Sequence, residues 1–386
     1  MYYSTIPRKK SKIKSSTFVS VQENMLVFAI FLLMFCILTK PTAYSKSVIS
    51  GLKLFFSAVL PGLLPFMFLC KILTNLNIQK HLAFMSKPMQ KIFGLSKECA
   101  YPFFISIISG YPIGSKITSD LYESYKISDK DLLKCAVLSS TSGLIFIIGS
   151  VGSAMIGNVK VGILIYFASI LSCILSVIIL NLIDKIKNIK TKPLINAPIL
   201  TAEAGFANNT VNISSNNITS SISSNQSNIA IQKSINNNTK SKDNILNIMT
   251  TSAADTCQSL LIVCFYISFF FVLIDILSQT KILGIFSKAI SIIFSSNPDK
   301  MALSQGIVSG IVEMTRGVKM LSFIKTPLSF SLICSLISFG GFSIIFQSLA
   351  FLSKTNIKFS KFIFAKLLQA LLAFLICFAM LLIFNI

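Results

Sequence analysis

Residues 101–125 read Tyr-Pro-Phe-Phe-Ile-Ser-Ile-Ile-Ser-Gly-Tyr-Pro-Ile-Gly-Ser-Lys-Ile-Thr-Ser-Asp-Leu-Tyr-Glu-Ser-Tyr. The centre, Ser109-Gly110-Tyr111-Pro112-Ile113-Gly114-Ser115, is a turn between two short arms. An apolar run from Pro102 to Ile108 leads in, and Lys116 to Tyr125 leads away. Neither arm crosses a bilayer by itself, because about 20 apolar helical residues are needed for about 30 Å of hydrocarbon. The pattern predicts two half-length helices in a re-entrant hairpin whose tip lies near the midplane. Backbone that is not helical at that depth persists only where protein or water satisfies it. The tip is therefore the first candidate binding site.

The same device recurs about 200 residues later, where Ser304 to Met320 sets Ser309-Gly310 in the place of Ser109-Gly110. Gly51–Leu73 precedes the first hairpin at nearly the spacing by which Ser252–Ile274 precedes the second. Behind each hairpin lies an apolar helix interrupted by small residues, Ser139-Ser140-Thr141-Ser142-Gly143 in one half and Phe339-Gly340-Gly341-Phe342 in the other. One more apolar helix follows each. Short or Gly-interrupted apolar segments at matching positions of two halves point to the substrate site of a secondary transporter.

The composition agrees with a membrane protein. Of 386 residues, 53% are hydrophobic and 12% charged; a soluble chain carries roughly twice that charged fraction. The net charge of +22 is spread between apolar segments and forms no patch interleaved with aromatics. It reads as a topology signal rather than as a nucleic-acid surface. The nine cysteines lie mostly in apolar runs without CxxC spacing and read as packing residues, and a single His, His81, excludes a multi-histidine metal site.

In chain order, residues 1–45 hold a basic tail and the first membrane helix, Met25–Leu38; a signal-anchor suits a polytopic chain better than a cleaved signal peptide. Residues 46–183 form the first repeat, 184–245 an Asn/Ser-rich cytoplasmic linker too polar to bury a core, and 246–386 the second repeat. Spans are expected at Gly51–Leu73, Leu132–Ile156, Val161–Ile183, Asn247–Leu277, Pro327–Leu352 and Phe359–Phe384, with interfacial segments at 71–97 and 281–296. The expected fold is an all-α polytopic membrane protein, an inverted repeat of about seven membrane-spanning helices plus two re-entrant hairpins, with broken helices. Placing the N-terminus inside puts 24 basic residues on that side against 10 outside. The two hairpins then enter from opposite faces, an alternating-access layout.

Taken together, Ser109–Thr118, Gly310–Gly317 and Phe339–Phe342 resemble the YlbJ family of sporulation integral membrane proteins. That family, also known as stage V sporulation protein V, lies within the nucleoside-recognition or Gate group and is similar in architecture to concentrative nucleoside transporters. The likeness covers roughly residues 45–385 without the linker. It implies a multi-pass protein of the outer forespore membrane that helps move dipicolinic acid from the mother cell toward the spore. Two positions depart from the family pattern: Ser-Ser-Thr-Ser-Gly at 139–143 stands where Asn residues and a Gly-Pro are expected, and Ile113 where a small hydroxyl residue is usual.

A planar dicarboxylate needs cationic or N–H donors in a site shielded from water, and Arg offers a rigid fork that Lys lacks. Arg316 is the one arginine of the membrane portion. It is expected either to bind a substrate carboxylate or to be held by Glu313 or at the hairpin's outer arm. Glu313 is an intramembrane carboxylate, costly and therefore a functional candidate: a proton carrier, a Na⁺ ligand or the neutraliser of Arg316. Lys116 is either a second substrate cation or a solvated arm residue, and Lys366 is expected to snorkel to the interface.

Hairpin tips and helix breaks offer N–H groups and hydroxyls to anions. The remaining candidates are accordingly Ser109, Gly110, Tyr111, Gly114, Ser139, Ser140, Thr141, Ser142, Gly310, Thr315, Gly340 and Gly341. Close helix packing is the alternative use of such small residues. No catalytic or metal set is expected, no cofactor beyond a coupling H⁺ or Na⁺, and no nucleic acid; the partners are the bilayer, a small anion and, by analogy with trimeric related folds, further copies of the chain. The expected function is transport of a small organic anion, most readily dipicolinate. The competing readings are a nucleoside-type transporter and a structural or assembly factor of the spore envelope.

Overall fold

The computed structural model describes residues 16–76, 83–190 and 245–385, all helices and short connections among those residues. His81, Lys80, the basic tail as far as residue 15 and positions 191–244 of the linker lie outside them. Four helical stretches are long and apolar enough to cross a bilayer: Val159–Ile186, Ile245–Gln279, Pro327–Lys354 and Phe359–Ile383. Two other expected spans are helical but divided, with apolar pieces at Leu60–Leu73 and Phe146–Ile156. The chain is a polytopic membrane protein.

Helix α1, Ser16–Thr39, is apolar all round and leaves Phe28, Phe31 and Phe35 exposed, as suits a surface covered by lipid. It meets the next helix at a bend of 103°. This differs from the expected pair of antiparallel crossings, because Pro41 starts α2 only two residues after α1 ends. α2, Pro41–Leu54, continues through a π-helical turn, Phe55–Val59, into α3, Leu60–Asn75. The wider turn sits just before Pro61, which has no N–H to give to the helical ladder.

After α4, Ala83–Phe93, comes the first hairpin: α5, Ala100–Ser109, and α6, Ile113–Glu123. α7, Asp129–Leu138, breaks at Ser139–Ser142 and resumes as a π-wound half-helix over Phe146–Ile156; α8, Val159–Lys190, follows. The second half runs through α9, Ile245–Gln279, and the short α10, Ile282–Ser291. Its hairpin is α11, Lys300–Val312, with α12, Met314–Leu321; then come α13, Pro327–Phe339, α14, Gly341–Phe351, and α15, Phe359–Ile383.

The α2–α3 helix and α9 lie antiparallel against each other. Tyr44 Oη donates to Gln279 Oε1 (3.4 Å) at one end, and Asn75 Nδ2 donates to Ser252 Oγ (2.8 Å) at the other. Gly51 marks a close crossing, since a Cβ there would lie 2.9 Å from Ser268 Cα. The polar contacts exchange partners: Ser47 on α2 binds Asp275 near the end of α9, while Asn75 at the end of α3 binds Ser252 near the start of α9. Such an exchange is what antiparallel packing of the two helices produces. Hydrocarbon provides no hydrophobic drive between helices, so packing rests on small residues. On α8, buried Ser169, Ser172 and Ser176 return their hydroxyls to carbonyls three residues back, at 2.7–2.8 Å, and keep the helix face thin.

Candidate substrate site

Each hairpin is joined to its own broken helix by glycine. Gly110 has φ +78°, which closes the first tip, and a Cβ on it would run into the backbone of Gly143. Tyr111 N–H donates to Thr141 O at 2.8 Å, and the Tyr111–Pro112 peptide is cis. A Cβ on Gly114 would strike Ser139 O. In the second half, Gly340 and Gly341 break the helix with φ of +90° and +67°, and a Cβ on Gly341 would stand 2.7 Å from Gly310 O.

The second tip lies three residues beyond its expected place. Ser309-Gly310 stays helical; Gly310 serves close approach, because the returning arm brings Gly317 against it. The break falls at Glu313, in extended conformation (φ −136°, ψ 111°), because its carboxylate caps α12. It accepts from Thr315 N–H at 3.0 Å and Arg316 N–H at 2.7 Å, and it is fully buried. A carboxylate at a helix N-terminus meets both the free donors and the positive end of the dipole. Glu313 is thus bound to the backbone of Arg316, while the guanidinium goes elsewhere: Nη1 pairs with Asp275 Oδ1 at 2.8 Å, and the group sits 5.2 Å over the Phe271 ring. Asp275 was missed in the sequence because it looks like one acid at the end of a long apolar span.

The two tips and the first break meet around a small, partly open cavity of about 30 Å³. Ser109, Gly110 and Tyr111 of the first tip, Ser142 and Gly143 of the first break, and Met314 and Thr315 of the second tip line it. Val59 and Leu63 of the α2–α3 helix and Val263 and Ile267 of α9 form the apolar wall. Tyr111 reaches across the halves, its hydroxyl 3.5 Å from Ile337 O. Gln347 of α14 also lines the cavity; it is fully buried, and its Oε1 has no hydrogen-bond partner among the described residues. Such an atom is costly unless something else meets it. A Gln in an apolar helix carries no sequence signal of this role.

The other candidates lie outside that cavity. Gly340 and Gly341 shape the break, and Gly310, Gly114 and Glu313 build the hairpins. Ser139 shares a hydrogen bond with Thr118 (2.8 Å), and Thr141 donates to Ser106 (3.0 Å), so both hydroxyls tie the break to the first hairpin. Ser140 gives its carbonyl to Lys366 Nζ at 2.8 Å. Lys366 is 1% exposed and does not snorkel.

Arg316 lines a separate cleft of about 310 Å³ with Lys319, Asp275 and Ser50. Lys116 lies beside Lys71, which pairs with Asp255 at 3.4 Å. Asp255 and Asp275 are 20 residues apart on α9, about 30 Å at 1.5 Å per residue. The cationic candidates therefore sit toward the two ends of this helix pair, with the neutral tip cavity between them.

No family model matches the chain, and no solved structure matches it. It is similar to the sporulation integral membrane protein YlbJ of Bacillus subtilis (strain 168), 25% identical over 362 residues, which cover 91% of this chain and 81% of that protein.

Proposed function

We propose that this chain, similar over 91% of its length to the sporulation integral membrane protein YlbJ, is a protein of that type and a carrier for a small organic anion. The proposed cargo is dipicolinic acid, moved from the mother cell toward the forespore across the outer forespore membrane. The observation that carries this reading is the meeting of two hairpin tips and a helix break around one small cavity that combines hydroxyl-bearing and apolar side chains of both halves. Discontinuous helices meeting inside a bilayer are the build of a secondary carrier's binding site.

The cavity's volume of about 30 Å³ holds little more than a water molecule. Cargo enters, on this reading, only when one hairpin moves away from the other, so the structure corresponds to a closed state of the cycle. Recognition is assigned to neutral donors: the Ser109, Tyr111, Ser142 and Thr315 hydroxyls, the Gln347 amide, and the N-terminal end of the half-helix that starts beside Gly143. Arg316 with Lys319 at one end, and Lys71 with Lys116 at the other, would concentrate anions at the two entrances. The protein is proposed as a carrier, not an enzyme, with H⁺ or Na⁺ as its coupling ion.

One observation favours a second reading. None of the described residues lining the cavity is charged, which also suits a neutral polar cargo of nucleoside type. Uptake of labelled dipicolinate into vesicles, with Gln347→Leu at matched protein level, tests the first reading. The parent should accumulate it, and the variant should lose roughly fivefold or more, the effect of about 1–3 kcal/mol for an unmade polar contact. Uptake of a labelled nucleoside that is competed by unlabelled nucleosides but not by dipicolinate would move the assignment to the second reading. No uptake by the parent, with normal dipicolinate in spores lacking the protein, would reject transport of this anion.

A further inference from the structure

Lys366 is fully buried, with no carboxylate at ion-pair distance among the described residues. Its Nζ donates to Ser140 O and to Gln369 Oε1, both at 2.8 Å. Ser140 stands just after the end of α7, where the chain leaves the helix and its last carbonyls lose their partners. The neighbouring carbonyls are met by other groups: Leu138 O by Ser106 Oγ at 3.2 Å and Thr141 O by Tyr111 N–H at 2.8 Å. Ser140 O receives the ammonium.

An isolated ammonium in such surroundings is expensive. What offsets it here is the negative end of a half-helix together with two oxygen acceptors. Unwound carbonyls and half-helix C-terminal ends are also the groups that coordinate Na⁺ in carriers with broken helices. We propose that the Lys366 ammonium is a tethered cation occupying the position of an inorganic coupling ion at the first helix break, so that this position takes no Na⁺. The inference deepens the carrier reading and rests on it only for the word coupling; the cation position itself is a property of the folded chain.

The test is thermal unfolding of the purified full-length protein in equal concentrations of sodium chloride and choline chloride, with binding of radioactive sodium measured alongside. The parent's difference between the two salts is the baseline, which carries any sodium bound elsewhere. Lys366→Ala leaves oxygen ligands and space, and should unfold earlier in choline and regain about 2 °C or more in sodium, as mass action requires of an ion that binds the folded state. Lys366→Ser reports the same shift if the alanine variant does not purify. A Lys366→Ala or Lys366→Ser protein whose sodium shift is no larger than the parent's would overturn the proposal, and so would a variant that binds no more radioactive sodium than the parent. Because neither readout involves dipicolinate, a failed uptake assay and a failed cation assay remain separate results.

Discussion

Glu313 and Gln347 are both fully buried, and they illustrate two uses of a polar side chain in a membrane interior. Glu313 is spent within its own hairpin, on two backbone N–H groups of α12. Glu313→Ala should lower the unfolding free energy of the purified protein by about 1–3 kcal/mol, while Glu313→Gln retains part of that because an amide oxygen still accepts. Equal stability of the alanine variant and the parent would show that the cap contributes nothing. The positive end of α12 is already occupied by this carboxylate, so on the proposed carrier reading an anionic cargo would find its free donors at the first break instead. Gln347, in contrast, leaves Oε1 unmet beside the cavity, which is why it is chosen to report on cargo.

At the scale of elements, the two hairpins work as parts of a pair with the broken helices. The Gly114 position shows how tightly: a Cβ there would collide with the Ser139 carbonyl, which is backbone and has no rotamer to change. Gly114→Ala should therefore be strongly destabilising, by about 1–3 kcal/mol or more, through displacement of the hairpin from the break. Gly284 of α10 has no atom within 4 Å of the same added carbon. Gly284→Ala should be neutral or stabilising by up to about 1 kcal/mol, from helix propensity alone. Unfolding midpoints of the two variants side by side would separate close approach from general intolerance of glycine replacement. The hairpin positions were legible in the sequence as Gly and Pro between short apolar arms. The second tip was not placed correctly, because Ser309-Gly310 matches Ser109-Gly110 in letters while the capping carboxylate three residues on decides where the helix ends.

For the whole molecule, the antiparallel pair of α2–α3 with α9 joins the first half to the second. Cysteines replacing Asn75 and Ser252 should cross-link readily in membranes, and so should cysteines replacing Ser47 and Asp275. Cysteines at Asn75 and Asp275 should not, since Asp275 lies at the other end of α9, about 30 Å away. Cross-linking of that last pair would disprove the antiparallel arrangement. Within this frame the cations separate. Arg316 and Lys116 each follow a tip closely in sequence, but a helix carries its side chains round by about 100° per residue. That rotation takes Arg316 to Asp275 and Lys116 to Lys71, away from the cavity.

The sequence by itself determined that this is an all-helical membrane chain with two hairpins, two helix breaks and a polar linker. These features are local: apolar length, Gly and Pro punctuation and composition report them without any knowledge of neighbours. Tertiary structure alone decided which polar groups meet. The pairing of Arg316 with Asp275, the unmet Gln347 oxygen at the cavity and the Lys366 ammonium on Ser140 O join residues from different helices. In a medium without water, each such group is directed by whichever unsatisfied partner the packing brings near, and no pattern along the chain records that.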